Sequence, residues 1–185
     1  MLGRTYDREV CSAARALEVA GERWSLLILR NAAFAGVTRF TDFQERLGIA
    51  PNVLSARLET FVAEGLMTVL RSSTGHGEYH LTEKGLDFKP VIIALTEWGD
   101  RWEAPDGAPI EYLHEGCGGS VGVQLRCDRC DADVPAPDVK ARPTEAMARA
   151  QKRRRARAKA RADAKAAGAK TGGAKAGGAK PKRAR

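Results

Sequence analysis

Over the first hundred positions the apolar residues recur at helical spacing, switch to short alternating runs, and then return to helical spacing. Residues 8–21 place Val10, Ala14, Leu17, Val19 and Ala20 on one face and end at Gly21, which predicts a helix closed by glycine. The stretch "ERWSLLILRNAAF" predicts a second helix that turns Trp24, Leu27, Ile28 and its alanines inward and stops before Gly36. In "TRFTDFQERLG" a short helix carries Phe40, Phe43 and Leu47, with Gly48 as its C-terminal stop. "IAPNVLSARLETFVAEG" opens with Pro51, suited to a first helical turn, and closes on Gly65. Its Leu54, Leu58, Phe61 and Val62 fall at i, i+4, i+7 and i+8, one buried stripe. Two short helices joined by a tight glycine turn, the second amphipathic, form a helix-turn-helix pattern.

The period then changes. "LMTVLRSS" and "GEYHLT" read as strands on either side of a Ser-Thr-Gly-His-Gly turn, a hairpin placed where a wing follows a helix-turn-helix. Thr82 caps a predicted helix running to about Trp102, with Pro90 early enough to kink it. Along it Phe88, Val91, Leu95, Trp98 and Trp102 follow 3-4-3-4 spacing, a seam suited to lengthwise packing of two helices. That seam either covers the domain's own core or meets a second copy. Three large aromatics on one late helix favour the second copy. The expected fold is mainly α with a small β-hairpin wing: a winged helix-turn-helix dimerising through its terminal helices.

Composition divides the chain further. After Pro105 glycine, cysteine and aspartate dominate through about residue 138, and residues 140–185 are low-complexity Ala, Lys, Arg and Gly. Three segments follow: a winged helix-turn-helix over 1–104, a small Cys/His ribbon over 105–139, and a disordered basic tail over 140–185. Within the tail, 144–167 is rich enough in Ala, Arg and Lys to turn helical once its charges are neutralised. The tail holds 17 Lys and Arg against two acids, a net of +15, so the formal +8 of the chain leaves residues 1–139 at −7. The basic character belongs to the tail, and any nucleic-acid site on the body works against the body's own field. No apolar run suits a membrane span or a secretory h-region, so a cytoplasmic protein is expected. There, four cysteines read first as metal ligands or reactive thiols.

Five motifs together carry a resemblance: Cys11 followed by "GERW" before an apolar helix, "RFTDF", "LSARLETFVAEGL", "EYHLTEKG" and a terminal "WG". Over about residues 11–102 the chain resembles the HxlR-type winged-helix transcriptional regulators. The resemblance implies a dimeric, DNA-binding protein, usually repressive or sensory. It also places Cys11 where members that sense electrophiles or oxidants carry a reactive thiol, with Arg8 and Arg15 a helical turn away. The alternative for Cys11 is a small residue at a dimer seam. The chain departs from the family at Ala50, where members often have a serine cap, and at Val69 and Leu70, where relatives are commonly more basic.

Projecting the second helix of the motif at 100° per residue, with Leu58 facing the core, turns Asn52, Ala56, Glu59 and Thr60 outward, flanked by Ser55 and Arg57. Asn52 and Ser55 are the candidates for base edges, Ala56 for a thymine methyl, and Arg57 for guanine or phosphate, or for a glutamate on its own helix. Arg39 suits a backbone phosphate, while Arg71 and His76 on the wing suit the minor groove. Arg153, Arg154 and Arg155 in the tail add sequence-independent contacts.

In "HEGCGGSVGVQLRCDRC", His114-x2-Cys117 precedes Cys127-x2-Cys130 by nine residues. That spacing gathers four N/S ligands around one structural Zn²⁺. A metal-free or redox-active ribbon and a catalytic metal remain the alternatives. The expected function is sequence-specific regulation by a homodimer on palindromic double-stranded DNA, probed by a small molecule or electrophile, with no membrane partner. A nucleoid-coating protein dominated by the tail is the alternative. No paired carboxylates, nucleophile constellation or phosphate loop points to an enzyme.

Overall fold

The computed structural model describes residues 6, 9–71 and 75–172, with side chains described as far as residue 164. The chain forms two compact units, one of residues 12–140 with Tyr6, the other of residues 141 onward with 9–11. In the first unit the elements run α1 (Ser12–Ala20), α2 (Ser25–Ala35), α3 (Phe40–Leu47), α4 (Pro51–Ala63), β1 (Met67–Arg71), β2 (Gly77–Leu81), α5 (Glu83–Leu86) and α6 (Lys89–Trp102). A 3-10 turn, Ala136–Asp138, lies near its end.

Glycines stop the helices for a definite reason. Gly36 (φ 62°) and Gly48 (φ 60°) adopt the left-handed conformation, and their N–H groups return to the carbonyls of Asn31 and Gln44. A residue with a Cβ pays about 1 kcal/mol or more there. The core is built from Ile28 and Leu29 of α2, Phe43 of α3, Ile49 in the turn, Leu54, Leu58 and Phe61 of α4, Leu66, Met67, and Ile92 of α6. Each large apolar side chain buried here contributes roughly 1.5–3 kcal/mol. Val62, expected in the α4 stripe, is exposed. Leu54, Leu58 and Phe61 centre the buried face, and Val62 lies about 70° round the helix from that centre.

The hairpin pairs Met67 with Leu81 through Arg71 with Gly77; residues 72–74, expected partly as strand, lie outside the described residues. A third short segment joins this sheet. The Tyr79 N–H donates to the Thr38 carbonyl at 2.7 Å, and Arg39 bridges to Glu78. The segment entering α3 is therefore fixed to the outer edge of the wing.

The single helix expected from Thr82 to Trp102 is two helices. Thr82 does cap the first, its hydroxyl accepting from the Gly85 N–H at 3.2 Å. Asp87 and Phe88 then turn the chain, and α6 restarts with Pro90 in its first turn, where the missing N–H costs nothing. Gly85 permits close approach: a Cβ there would overlap the Leu66 carbonyl oxygen and lie 2.9 Å from Leu81 Cδ2. Thr82 binds the same strand entry, donating from Oγ1 to the Gly65 carbonyl at 2.7 Å. On α6 the core takes Ile92 and Ile93, whereas Val91, Leu95, Trp98 and Trp102 face solvent. Phe88, placed in the same seam by its spacing, packs partly against the core instead.

In the second unit α7 spans Glu145–Gly172 and carries ten Lys and Arg against two acids. Helix forms over the segment with the strongest Ala/Arg/Lys bias, inside a tail whose composition predicts disorder. All side chains from 151 to 164 are exposed, so intrinsic propensity, not an apolar face, accounts for the helix. The Gly/Ala/Lys repeat from residue 173 onward lies outside the described residues.

Candidate nucleic-acid interface

The turn between α3 and α4 runs through Gly48, buried Ile49 and extended Ala50 (φ −63°, ψ 138°). Ile49 pins the turn to the core and so fixes the direction in which α4 projects. Ala50 offers no side-chain cap; its carbonyl instead accepts from the N–H groups of Val53 and Leu54, each at 3.0 Å. The first turn of α4 is thus free of capping side chains and open to solvent. Asn52, Ala56 and Glu59 are exposed along one face and Ser55 is half-buried beside them, as the projection predicts. Thr60 is not available in the same way, because it is half-buried and its hydroxyl donates to the Ala56 carbonyl at 2.8 Å.

Two arginines beside this face are engaged. Arg39 donates from Nε to Glu78 Oε1 at 3.1 Å, and His80 Nε2 stands 3.5 Å from the other oxygen of the same carboxylate. One wing glutamate therefore holds an arginine of the helix-turn-helix and lies beside a histidine of the wing. Sequence reading missed Glu78 and His80, since only the fold brings them beside Arg39. Arg57 lies 3.9 Å from Glu22, before α2, rather than against a glutamate of its own helix. Arg71 and His76 are exposed at the two ends of the wing turn. Arg153, Arg154 and Arg155 are exposed on α7.

Cys11 is exposed. Arg15 donates to the Glu18 carboxylate at 2.6 Å and to the Tyr6 carbonyl at 3.0 Å; Arg8 lies outside the described residues.

The segment after α6 docks on the winged helix through Tyr112. Its ring lies 4.5 Å from that of Phe34, and its hydroxyl is 3.1 Å from Thr96 Oγ1. Farther on, the Val123 N–H donates to Glu97 Oε1 at 3.0 Å. His114 Nδ1 stands 3.2 Å from Cys117 Sγ. The Cys127 sulfur accepts from the N–H groups of Cys130 and Arg129 and from the Cys130 thiol, which hold its thiol below the ordinary range. The predicted set of four is present as two pairs. Among the described residues no three His, Cys, Asp or Glu side chains converge as a metal site. Each pair is fixed by hydrogen bonds within its own turn, and these do not set the distance between turns.

The family model for the HxlR-like helix-turn-helix matches residues 19–106. The HTH-type transcriptional regulator Rv3095 of Mycobacterium tuberculosis, itself uncharacterized, is 42% identical over 135 residues, 71% of this chain and 85% of that one. YvaP of Bacillus subtilis, likewise an uncharacterized HTH-type regulator, is 29% identical over 49% of this chain and 86% of its own. Among solved structures, PA1607, described as a candidate transcription factor, superposes with a TM-score of 0.67 at 36% identity, covering 75% of this chain and 99% of that one. PA1374 of Pseudomonas aeruginosa, described likewise, gives 0.52 at 34% identity over 72% and 92%. With the uncapped, solvent-facing α4 set behind its glycine turn and flanked by a wing, these matches make the chain a member of the HxlR-like helix-turn-helix family of transcriptional regulators.

Proposed function

We propose that this regulator acts as a homodimer that represses by occupying a palindromic operator, each α4 reading one half-site from the major groove. The exposed face of Asn52 and Ala56, with Ser55 beside them, carries the reading. Asn52 offers the donor–acceptor pair that matches adenine, and the Ala56 methyl suits thymine. Arg57 and Arg39 reach phosphate by exchanging Glu22 and Glu78 for DNA oxygens. Arg71 and His76 at the wing tip approach the adjoining minor groove.

The seam of Val91, Leu95, Trp98 and Trp102 supports the dimer. These residues are between 50% and 66% exposed, a run of large apolar side chains on one helix of the kind that marks an interaction surface. A 4-3-4 stripe is self-complementary about a two-fold axis. Two half-sites about one helical turn apart follow from that symmetry. The tail contributes phosphate contacts through Arg153, Arg154 and Arg155. Exposed Cys11 is the position at which thiol-reactive stress acts on the dimer; a Cys11→Ser protein that still releases operator on diamide treatment removes that role.

The deciding experiment is a footprint on the protein's own promoter, with and without residues 140–185. A discrete palindrome protected by both forms, more weakly by the shorter one, is the expected result. Featureless protection, or protection lost at every sequence on truncation, makes the chain a DNA-coating protein driven by its basic helix.

A further inference from the structure

The two turns that hold His114 with Cys117 and Cys127 with Cys130 are the same structure built twice, thirteen residues apart. Leu113 bridges to Ser120 around the first turn, and Arg126 bridges to Asp133 around the second. The His114 N–H donates to the Gly119 carbonyl at 2.8 Å, and the Cys127 N–H donates to the Ala132 carbonyl at 3.0 Å. The Gly118 N–H returns to the His114 carbonyl at 2.7 Å, as the Asp131 N–H returns to that of Cys127 at 3.0 Å. Outside each turn, Val121 donates to Tyr112 at 2.8 Å and Val134 donates to Leu125 at 2.7 Å.

The backbone conformation repeats as well. Gly118 has φ 72°, and its counterpart Asp131 has φ 57°, the one positive φ outside glycine among the described residues. Aspartate tolerates that conformation better than most residues, yet it still costs on the order of 1 kcal/mol. Arg126, donating to the Asp131 carboxylate at 2.6 Å, holds it there. Glycine makes the same turn without strain, so its recurrence at Asp131 marks a geometry the second turn has to keep.

In this shared frame His114 corresponds to Cys127 and Cys117 to Cys130. Each turn is a two-ligand knuckle, with ligands at its first and fourth positions. In the first, the 3.2 Å from His114 Nδ1 to Cys117 Sγ approaches the roughly 3.5 Å N–S edge of a tetrahedral zinc site with ordinary bond lengths. Gly116 leaves room for this, since a Cβ there would come within 3.1 Å of the His114 ring.

We propose that the two knuckles are half-sites for one divalent cation of zinc's chemistry, held by His114, Cys117, Cys127 and Cys130 in a closed tetrahedron. Three thiolates and one neutral imidazole suit zinc and leave no position for water, so the site is structural. Cation binding draws the half-sites together across residues 118–126, which Glu97 anchors to α6 through the Val123 N–H. The metal thereby orders a segment already fixed to the helix that bears the apolar seam. Binding releases the thiol protons, so affinity rises with pH.

The test uses the full chain, reduced and stripped with chelator, then titrated with Co²⁺ and back-titrated with Zn²⁺. About one equivalent of cobalt per chain, an intense tetrahedral visible spectrum, thiolate-to-cobalt charge transfer and displacement by one equivalent of zinc are expected. Cys117→Ser, Cys127→Ser and Cys130→Ser each lower the charge-transfer band by about a third and weaken binding at least tenfold. His114→Ala weakens binding to a similar extent, His114→Cys restores it with a stronger charge-transfer band, and Cys11→Ser changes nothing. Far-UV circular dichroism reports the winged helix separately, since its core contains none of these residues. No uptake, a weak octahedral spectrum, or a Cys117→Ser spectrum identical to that of the parent overturns the proposal.

Discussion

Deleting residues 140–185 tests how the work of binding divides between the helix-turn-helix and the tail. The described part of the tail, α7, is 28 residues long with ten Lys and Arg and two acids. At 1.5 Å per residue it extends about 42 Å, alongside a duplex carrying a phosphate every ~1.7 Å of axis. A helix lying against DNA presents about half its circumference, so about five of these cations reach phosphate at once. Each neutralised phosphate adds about −0.9 to the slope of log K against log salt, giving about −4.5 per chain. Between 50 and 200 mM salt the intact protein should then lose roughly 500-fold more affinity per chain than the truncated one, on the order of 10⁵-fold for a dimer that brings two tails. Fluorescence anisotropy on the footprinted operator and on a scrambled duplex, at four salt concentrations, measures both slopes. The ratio of operator to scrambled affinity should survive the deletion within a few-fold. Equal slopes would refute the assignment of phosphate contacts to the tail. A ratio collapsing to one would show that the tail, not α4, distinguishes sequences.

Asn52→Ala should cost about 1–3 kcal/mol on the operator and nothing on the scrambled duplex, with the salt slope unchanged; anisotropy on the same pair of duplexes checks it. Glu78→Ala frees Arg39 and His80 from their shared carboxylate, so binding to any duplex should tighten a few-fold and the salt slope should steepen by about one. Gly85→Ala forces a methyl into the Leu66 carbonyl and within 2.9 Å of Leu81; urea unfolding should show a loss of about 2–4 kcal/mol. Leu95→Arg places a charge in the exposed seam of α6, and light scattering after gel filtration should find the parent protein as dimer and the variant as monomer.

What the sequence disclosed is governed by the range over which the forces act. Helix stops at Gly36 and Gly48 and the cap at Thr82 depend on a few neighbouring residues, and spacing alone located them. The outward face of α4 followed from Leu58 facing the core, and Asn52, Ala56 and Glu59 lie where that projection puts them. Val62 was misplaced because i+8 looks equivalent to i+7 in a string but sits at the margin of a real helical face. Pro90 read in a continuous helix predicts a kink, although proline in a first turn is equally a helix start. The pairs Arg39–Glu78 and Arg57–Glu22 lie beyond any local period. They arise because Thr38 adds to the wing's edge and because the chain before α2 returns beside α4. For the ribbon, ligand spacing was legible but the duplicated turn was not. Its second copy has aspartate where the first has glycine, and only the backbone angle shows that the two are equivalent.

These contacts bear on why a DNA-reading head carries so little positive charge. Between Arg39 and Thr82 there are four bases and five acids, and two of those bases lean on glutamates. Exposed ion pairs of this kind contribute at most about 1 kcal/mol to stability, so the fold loses little when phosphate replaces the carboxylate. They matter more before DNA arrives. An arginine already paired gains less from any random phosphate, and the glutamate it leaves behind repels the backbone unless the approach is correct. Nonspecific affinity of the head is thereby held down, while the base-edge contacts proposed for Asn52 and Ser55 would keep their full value because neither side chain is charged. Discrimination is the difference between specific and nonspecific binding, so a head with few free cations reads more selectively than a basic one. The cost is weak attraction overall. On the proposed division of labour, the basic helix elsewhere in the chain would offset that by a similar amount at every sequence, leaving the discrimination of the head intact.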